Sequence, residues 1–188
     1  MADITLSGFK NALADGARPN RFWVAITSPS GATSAIWNDP AMGFLVKSFS
    51  LPAKTIGDIV VNFQGMQTKL AGDPTFDDAS MVLHNDVAFS VKKFFQAWME
   101  AIANTGGADG STQVDGTNVR LAPAAYKTDI TVTQLDRTGS ALATYILHGA
   151  YPKTMDAIEL SMESSDTLEE MSISFAYDTF TVTTGSPS

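Results

Sequence analysis

The sequence predicts a mainly β protein in which two packed antiparallel sheets, arranged as a sandwich or barrel, are flanked by one α-helix at about residues 86–103. Three observations indicate this class. Most of the chain alternates apolar and polar residues in short runs between turn-forming residues. Only residues 86–103 change to a helical period. A parallel sheet built from βαβ units would need several crossover helices, and a single helix therefore favours an antiparallel arrangement.

The chain begins with a segment that predicts an arm, followed by a strand. Residues 1–20 are mixed in character and reach Pro19, and the residue before a proline is disfavoured in a helix. The next run, RFWVAIT, alternates as a half-buried strand does. Its predicted buried face consists of Phe22, Val24 and Ile26.

Residues 28–43 are rich in small and turn-forming residues and predict a long surface loop. Two strands are predicted next, at residues 44–51 and 56–63. Gly65 and Gly72 then predict turns on either side of MQTKLA. The strand that follows Pro74 is expected to be covered on both faces. One of its predicted faces consists of Ala79, Met81 and Leu83.

The predicted helix at residues 86–103 has one apolar stripe and two chemically specified ends. Asn85 and Asp86 are good capping residues for its start, and the glycines from Gly106 provide its stop. We expect the aromatic residues of this stripe to be buried in the core, because aromatic residues at helical spacing more often form core contacts than a stacking surface for a cofactor or a nucleic acid. Its core residues are Val91, Phe94, Phe95 and Trp98, with Val87 and Ile102 at its ends.

The second half of the chain predicts a loop followed by the remaining strands. Residues 104–122 are glycine-rich and predict a surface loop or insertion. TDITVTQL and ALATYILHGAY form a predicted hairpin around the turn at residues 137–140. The last predicted strands are MDAIELSM and EEMSISFAYDTFTV. The length of 188 residues predicts a single domain over residues 1–188.

Composition excludes several classes of function. The net charge of −8 argues against a protein that grips phosphates with basic side chains. The chain has no cysteine, which excludes disulfides and cysteine-ligated metals. There is no run of about 18 apolar residues that predicts a membrane anchor, and MADITLSGFK lacks the features of a signal peptide. A start in the cytoplasm is therefore expected.

Few residues in the sequence are candidates for catalysis or metal binding. Asp73, Asp77 and Asp78 are the best candidates for a hard metal or for acid–base chemistry, although turn capping and interface contacts are the alternative reading of the same residues. His84 and His148 have no partner at a metal-ligand spacing and predict hydrogen bonding in the core or at an interface.

Known catalytic and cofactor-binding patterns are absent from the sequence. It contains no GxSxG, no HExxH and no phosphate-binding GxxxxGK[ST], and neither an enzyme nor a cofactor is expected. One acidic cluster has two interpretations, a solvated turn or the lining of an acidic channel. Its members are Glu163, Asp166, Glu169 and Glu170.

Several segments together resemble the tail tube proteins of T4-like contractile-tail phages. They occur in the family's order over most of the chain, and LAGDPTFDD before the Asn-Asp helix start is the most specific of them. The segments are ARPNRFWV, FSLPAK, LAGDPTFDDASMVLHND, YKTDITVTQLD and the stretch from ILHGAYP to FAYDTF. Residues 28–43 and 104–122 depart from the compact family pattern as insertions.

The resemblance implies a structural subunit whose rings of six copies stack into a hollow tube in the virion. The family's partners are implied as well: the tail sheath, baseplate or tube-initiator proteins, and in the lumen the tape-measure protein and DNA. A long hairpin and the N-terminal arm would contact the neighbouring ring. The residues that this assigns to subunit or ring contacts are Arg18, Pro19, Asn20, Lys54, Gln64, Gln67, Lys69, Asp73, Asp77 and Asp78.

Two other functions are compatible with the sequence. The same fold forms the inner tube of phage-derived contractile injection systems, which deliver proteins instead of DNA. The acidic composition favours passage of DNA through the phage tube. From a different class, the chain would be a monomeric β-sandwich binding module or a carboxylate-based metal enzyme.

Overall fold

The structure of the chain is a computed structural model that describes residues 5–13, 16–29, 40–103, 122–161 and 167–184. The described helices are α1 (Leu6–Leu13), α2 (Ser90–Ala103) and α3 (Pro123–Tyr126), with a short 3-10 helix at Pro40–Leu45. The described strands are β1 (Phe22–Ile26), β2 (Val46–Phe49), β3 (Lys54–Phe63), β4 (Met66–Phe76), β5 (Ala79–His84), β6 (Thr128–Leu135), β7 (Ala141–Met155), β8 (Glu170–Ala176) and β9 (Thr179–Thr184).

Two antiparallel sheets share the long strand β7, which confirms the predicted mainly β class. The first half of β7 pairs with β6 and β9, and β1 pairs with β6. The second half of β7 pairs with β8, which continues through β5 to β2. The two sheets are thus the strand orders β1-β6-β7-β9 and β7-β8-β5-β2. Strands β3 and β4 pair only with each other among the described strands and form a separate hairpin.

The inner faces of both sheets and the apolar stripe of α2 form one core. Phe95 and Trp98 of α2 contact the ring of Phe175 on β8, with ring centroids 5.8 and 6.5 Å apart. The indole Nε1 of Trp98 donates a hydrogen bond to the carbonyl of Tyr126, 2.9 Å away. Alternate residues supply the strand contribution, as a pleated sheet requires. The fully buried strand residues include Val24, Ile130, Leu147, Met81, Leu83, Met171 and Ile173.

Helix α2 begins later than the sequence predicts. Residues 86–89 form a turn in which the amide of Phe89 donates to the carbonyl of Asp86, and Phe89 has a φ of 53°. The helix starts at Ser90. Because the turn takes Val87 off the apolar stripe, its side chain is fully exposed, and the predicted burial of Val87 is wrong. The predicted core residues Val91, Phe94, Phe95 and Trp98 are all confirmed as buried, and Ile102 packs against the core as a partly buried residue.

Asp86 caps the start of α2, and its removal has a testable cost. Its carboxylate accepts a hydrogen bond of 2.8 Å from the amide of Ser90. We expect Asp86→Ala to lower the free energy of unfolding by about 1 kcal/mol at neutral pH, as loss of a cap does, and Asp86→Asn to retain most of that contribution.

The same cap gives a pH dependence of defined sign. Burial raises the pKa of the Asp86 carboxyl, but the hydrogen bonds from Ser90 and Val91 outweigh this and hold the pKa below its ordinary value of 3.8. A lowered pKa in the folded state means that the charged carboxylate stabilises the fold above the ordinary pKa and that this stabilisation is lost as the pH falls through the lowered one. Urea titrations should therefore show the difference in unfolding free energy between the wild type and Asp86→Ala becoming smaller as the pH falls below 3.8. A gap that stays constant down to pH 2 would contradict the role of the charge.

Three predicted elements differ in the structure. The strand predicted at residues 44–51 is shorter, because the chain passes through the 3-10 helix as far as Leu45. Gly72 does not form the predicted turn, because β4 continues through it. A bulge in β3 brings the backbone of Gly57 close to Gly72. A Cβ on Gly72 would lie 2.9 Å from the Gly57 carbonyl oxygen. MDAIELSM is not a strand beyond Met155. The amide of Asp156 makes the last ladder hydrogen bond, to Ser172, and no described strand lies opposite the residues that follow.

Other predictions fall partly outside the described residues. The N-terminal arm at residues 1–20 contains α1, whose Leu6 and Phe9 are exposed. Of the loop at residues 28–43, the described part includes the start of the 3-10 helix, whereas residues 30–39 lie outside the described ranges. Residues 104–121 of the second loop also lie outside them. In the ranges that are described, no helix has the length and apolar character needed to cross a membrane.

Candidate assembly surfaces

The hairpin of β3 and β4 is exposed along almost its whole length. The strands have ten and eleven residues, which corresponds to an extent of about 30 Å from base to tip. The tip is a two-residue turn in which Gln64 and Gly65 have φ values of 47° and 82°. Positive φ at both central residues is the geometry of a type I′ turn, which suits the twist of a hairpin. At the base, the ring of Phe76 packs 5.8 Å from that of Phe180 and anchors the hairpin.

The outer part of this hairpin is amphipathic. Because side chains alternate along each strand, Val61 and Phe63 lie on the same face. Their cross-strand partners, Thr68 and Met66, lie on that face as well. We call this face, formed by Ile59, Val61, Phe63, Met66 and Leu70, the apolar hairpin face. Phe63 and Met66 flank the turn and are 69% and 76% exposed.

The opposite face of the hairpin is polar. It carries Asp58, Asn62, Gln67 and Lys69, with Val60 between them. The ammonium group of Lys69 lies 2.7 Å from the carboxylate of Asp58, which ties the two strands together on this side. The hairpin therefore presents one face suited to water and one suited to a protein partner.

Within the described residues, a groove opens between the outer strands of the two sheets. We call it the edge groove. Its walls are the edge strand β1 with its neighbour β6 on one side and the edge strand β2 on the other, and its volume is about 740 Å³. Most of its lining is apolar or aromatic, and the residues that matter most are Phe22, Trp23, Phe44, Val46, Phe49 and Leu51.

The walls of the edge groove are held in place by local contacts. Gly43 lies so close to the indole of Trp23 that a Cβ at this position would be 2.6 Å from the ring. Phe44 packs edge-on against the same indole at a centroid distance of 4.9 Å, while its own side chain remains 78% exposed. On the rim, the guanidinium of Arg21 donates to the carbonyls of Asp136 and Arg137. The groove is thus shaped by contacts within the chain.

Several of the residues predicted for ring and subunit contacts lie on or beside these two surfaces. Gln64, Gln67 and Lys69 lie at the tip and on the polar face of the hairpin, and Lys54 lies at its base. Pro19 and Asn20 line the edge groove, and Arg18 lines a second cavity of about 690 Å³ beside it. The sequence prediction did not include the apolar hairpin face or the aromatic lining of the groove.

The predicted aspartate cluster is spread out. Asp73 lies within β4, whereas Asp77 and Asp78 occupy the break between β4 and β5. The carboxylate of Asp78 pairs with Lys153 at 2.6 Å, and this hydrogen bond raises the pKa of Lys153. Burial raises the pKa of Tyr177, and the charges of Asp77 and Asp78 add to that effect. Within the described ranges, no group of three or more histidine or acidic side chains is placed to hold a metal ion.

The predicted channel-lining residues fall partly outside the structure. Glu163 and Asp166 lie outside the described residues. Glu169 accepts a hydrogen bond of 2.6 Å from the side chain of Asn85. Glu170 pairs with Lys47 at 2.5 Å, and this contact lowers the pKa of the Glu170 carboxyl.

The two histidines lie in polar surroundings on the sheets. The ring nitrogens of His148 lie 3.1 Å from Asp129 Oδ2 and 3.1 Å from Thr181 Oγ1, as a hydrogen-bonding histidine requires. His84 Nδ1 lies 3.9 Å from the carboxylate of Glu170. The hydrogen-bonding role predicted from the sequence is confirmed for His148.

Comparison with known proteins gives the chain a family. Residues 17–183 match the family described as phage tail tube protein. The chain is 27% identical over 165 residues to the tail tube protein gp19 of Enterobacteria phage T4, which covers 87% of this chain and 90% of gp19.

Solved structures share the fold. One is the sheath-tube complex of the extracellular contractile injection system PVC in its extended state, with a TM-score of 0.63 and 15% identity over 97% of this chain and 100% of that chain. Another is the baseplate of the anti-feeding prophage, with a TM-score of 0.59 and 12% identity over 89% of this chain and 95% of that chain. At such identities the likeness concerns the fold alone. Because the family match spans most of the sequence, the chain belongs to the phage tail tube protein family, whose members are structural proteins and not enzymes.

Proposed function

We propose that this chain is the tube subunit of a contractile phage tail. Six copies form a ring, and the rings stack into a hollow conduit through which genomic DNA passes after the sheath contracts. The family match supports a tail tube protein. The observation that carries assembly is the exposed apolar hairpin face, since a free subunit leaves it in water.

An isolated two-stranded hairpin is only marginally stable in water, and the outer part of this one buries neither face against the described residues of its own chain. Contiguous exposed apolar surface on a soluble protein marks a site of protein contact. The polar face, with its Asp58–Lys69 pair, keeps the free subunit soluble. In the assembled state, the polar face of the hairpin contacts water and the apolar hairpin face contacts protein.

The other contacts follow from the same proposal. The arm residues Arg18, Pro19 and Asn20 and the hairpin residues around Gln64 contact adjacent subunits. The outer surface meets the tail sheath, and the tube begins on a baseplate or tube-initiator protein. Support comes from the fold, which is shared with a chain of a sheath-tube complex and one of a baseplate. The subunit is made in the host cytoplasm and ends in the virion tail.

The lumen holds the tape-measure protein and then DNA, without tight binding to either. The net charge of −8 per copy supports this, because a wall of like charge does not retain a polyanion. Glu169 and Glu170 are the described candidates for that wall, although the ammonium group of Lys47 partly offsets the charge of Glu170. The phage family match favours DNA over a protein cargo.

Electron microscopy of the purified protein tests this function. The protein is examined in negative stain at high concentration, alone and with baseplate extract as a nucleator. We expect hollow tubes with six-fold end views in at least the nucleated sample. Dispersed particles under both conditions would contradict the proposed function.

A further inference from the structure

We propose that the second cavity, which lies beside the edge groove, binds an acidic segment of a different protein through its arginine side chains. We call it the arginine cavity, and its volume is about 690 Å³. The inference goes beyond the tube function and does not depend on it, because it concerns a surface of the free subunit. The lining residues that carry the argument are Arg18, Arg21, Arg137, Leu135 and Leu142.

The arginine cavity concentrates positive charge in an acidic chain. Three of the four arginines in the sequence line it, and the fourth, Arg120, lies outside the described residues. Asp136 is the one acidic residue among the described lining residues. Three positive charges and one negative charge give the lining a formal charge of +2, whereas the whole chain carries −8. The cavity therefore attracts anionic groups locally, although the chain as a whole does not.

The guanidinium of Arg21 is oriented by backbone contacts. Its Nη1 donates to the carbonyls of Asp136 and Arg137, at 3.2 and 3.0 Å. Both acceptors are neutral, so these bonds hold the group in place without cancelling its charge. A guanidinium has five N–H donors, and three of them lie on Nε and Nη2, away from these two bonds. Such planar groups bind a carboxylate through two parallel hydrogen bonds.

The turn that carries Arg137 is fixed by Asp136. Oδ1 of Asp136 accepts hydrogen bonds from the amides of Thr138 and Ser140, at 2.7 and 3.0 Å, and from the hydroxyl of Thr138 at 2.7 Å. These contacts, with the Thr138 side chain first, hold the pKa of the Asp136 carboxyl below its ordinary value. Because the turn is already ordered, binding at Arg137 costs less conformational entropy.

The walls of the cavity favour a peptide over a bare anion. Leu135, Leu142 and Ala143 give the cavity apolar surface beside the arginines. Arg21 and Leu135 also line the edge groove, so the aromatic groove and the arginine cavity adjoin each other. Inorganic phosphate has no apolar group for these walls, and a nucleic acid would bring a run of phosphates against a chain of net charge −8. A segment with an apolar residue between carboxylates fits both surfaces.

The acidic segment belongs to a different protein, because most described carboxylates of this chain already have partners within it. A second copy would have to break such contacts to supply a carboxylate. Four ion pairs illustrate this: Asp58 with Lys69, Asp78 with Lys153, Asp178 with Lys127 and Glu170 with Lys47.

Fluorescence anisotropy with synthetic peptides tests the proposal. The probe is fluorescein-labelled Asp-Glu-Phe-Glu-Asp-amide, and the matched neutral probe is Asn-Gln-Phe-Gln-Asn-amide with the same label. The full chain is used below the concentration at which it assembles. We expect the acidic probe to bind at least tenfold more tightly than the neutral one. Its affinity should fall as sodium chloride is added, because salt screens exposed charges.

Charge-matched variants locate the binding. Arg137 is exposed on its turn, and we expect Arg137→Gln to weaken binding of the acidic probe at least fivefold without loss of the fold by circular dichroism. Arg137→Lys keeps the charge but not the planar group, and it should recover only part of the affinity. Lys54→Gln removes the same charge at an exposed site outside the cavity, and its affinity should stay within twofold of the wild type.

Three results would overturn the proposal. The first is equal binding of the acidic and neutral probes, and the second is an affinity for the acidic probe that Arg137→Gln leaves unchanged. The third is tighter binding of hexathymidylate than of the acidic probe, with a loss in Arg137→Gln, which would assign the cavity to nucleic acid instead. None of these results bears on the tube function, which electron microscopy tests separately.

Discussion

Replacing Val61 by aspartate should abolish tube assembly, whereas the same replacement at Val60 should leave it intact. The two valines are adjacent in β3 and are 44% and 48% exposed in the free chain, but they lie on opposite faces of the hairpin. On the apolar hairpin face, a buried carboxylate without a partner costs at least about 3 kcal/mol per contact. That corresponds to a loss of about 100-fold or more in affinity.

The pair separates assembly from folding. Both variants place the same residue of low strand propensity in the same strand, and the cost to hairpin formation is matched. At position 60, the new carboxylate stands opposite Lys69, which offers a partner. Assembly is followed by pelleting and negative stain, and circular dichroism checks the fold. Equal loss of tubes in both variants, or in neither, would contradict burial of the apolar hairpin face.

Trp98→Ala should destabilise the free subunit by about 3 to 5 kcal/mol, which is the range for removing a large buried aromatic side chain. Trp98 is fully buried among the rings of Phe94, Phe95 and Phe175. The change also removes the donor to the carbonyl of Tyr126. Tube formation should then be reduced, because a larger fraction of the subunits is unfolded.

Urea denaturation below the concentration for assembly measures this effect. Val87→Ala is the control: its side chain is fully exposed, and we expect a change within about 0.5 kcal/mol. Trp98→Phe should recover part of the lost stability, because most of the apolar contact remains. A loss below 1 kcal/mol for Trp98→Ala would mean that α2 does not anchor the core.

The local sequence pattern was sufficient to predict the buried residues of those elements that pack one face against the core. The stripe of α2 predicted its four buried residues, and alternation in β5 predicted Ala79, Met81 and Leu83. Val87 shows the limit: it continues the helical period in sequence, but a turn closed by Asp86 and Phe89 delays the helix. Capping chemistry sets the first residue of a helix more strongly than periodicity does.

The apolar hairpin face was present in the sequence but not recognisable as a surface. Ile59, Val61 and Phe63 occupy alternate positions just as the buried residues of a core strand do, and Val60 and Asn62 lie between them. Alternation with a period of two indicates that one face of a strand is apolar, but it does not indicate which part of a protein covers that face. Only the structure shows that this face has no cover within the described residues of its own chain.

The edge groove had no signal in the sequence at all. Its lining comes from segments around Trp23, Phe44, Phe49 and Val132, which are far apart in the chain and meet only because β1 and β2 are the outer strands of the two sheets. Strand order is a tertiary property. Of the residues that the resemblance assigned to contacts, Pro19 lines the groove and Lys69 lies on the polar face of the hairpin, and none belongs to the apolar hairpin face.

Cryo-electron microscopy of assembled tubes at side-chain resolution tests the central claim most directly. We expect the apolar hairpin face of each subunit to be buried against another subunit, with Val61, Phe63 and Met66 out of contact with solvent. A tube wall in which Val61, Phe63 and Met66 remain in contact with solvent would contradict it.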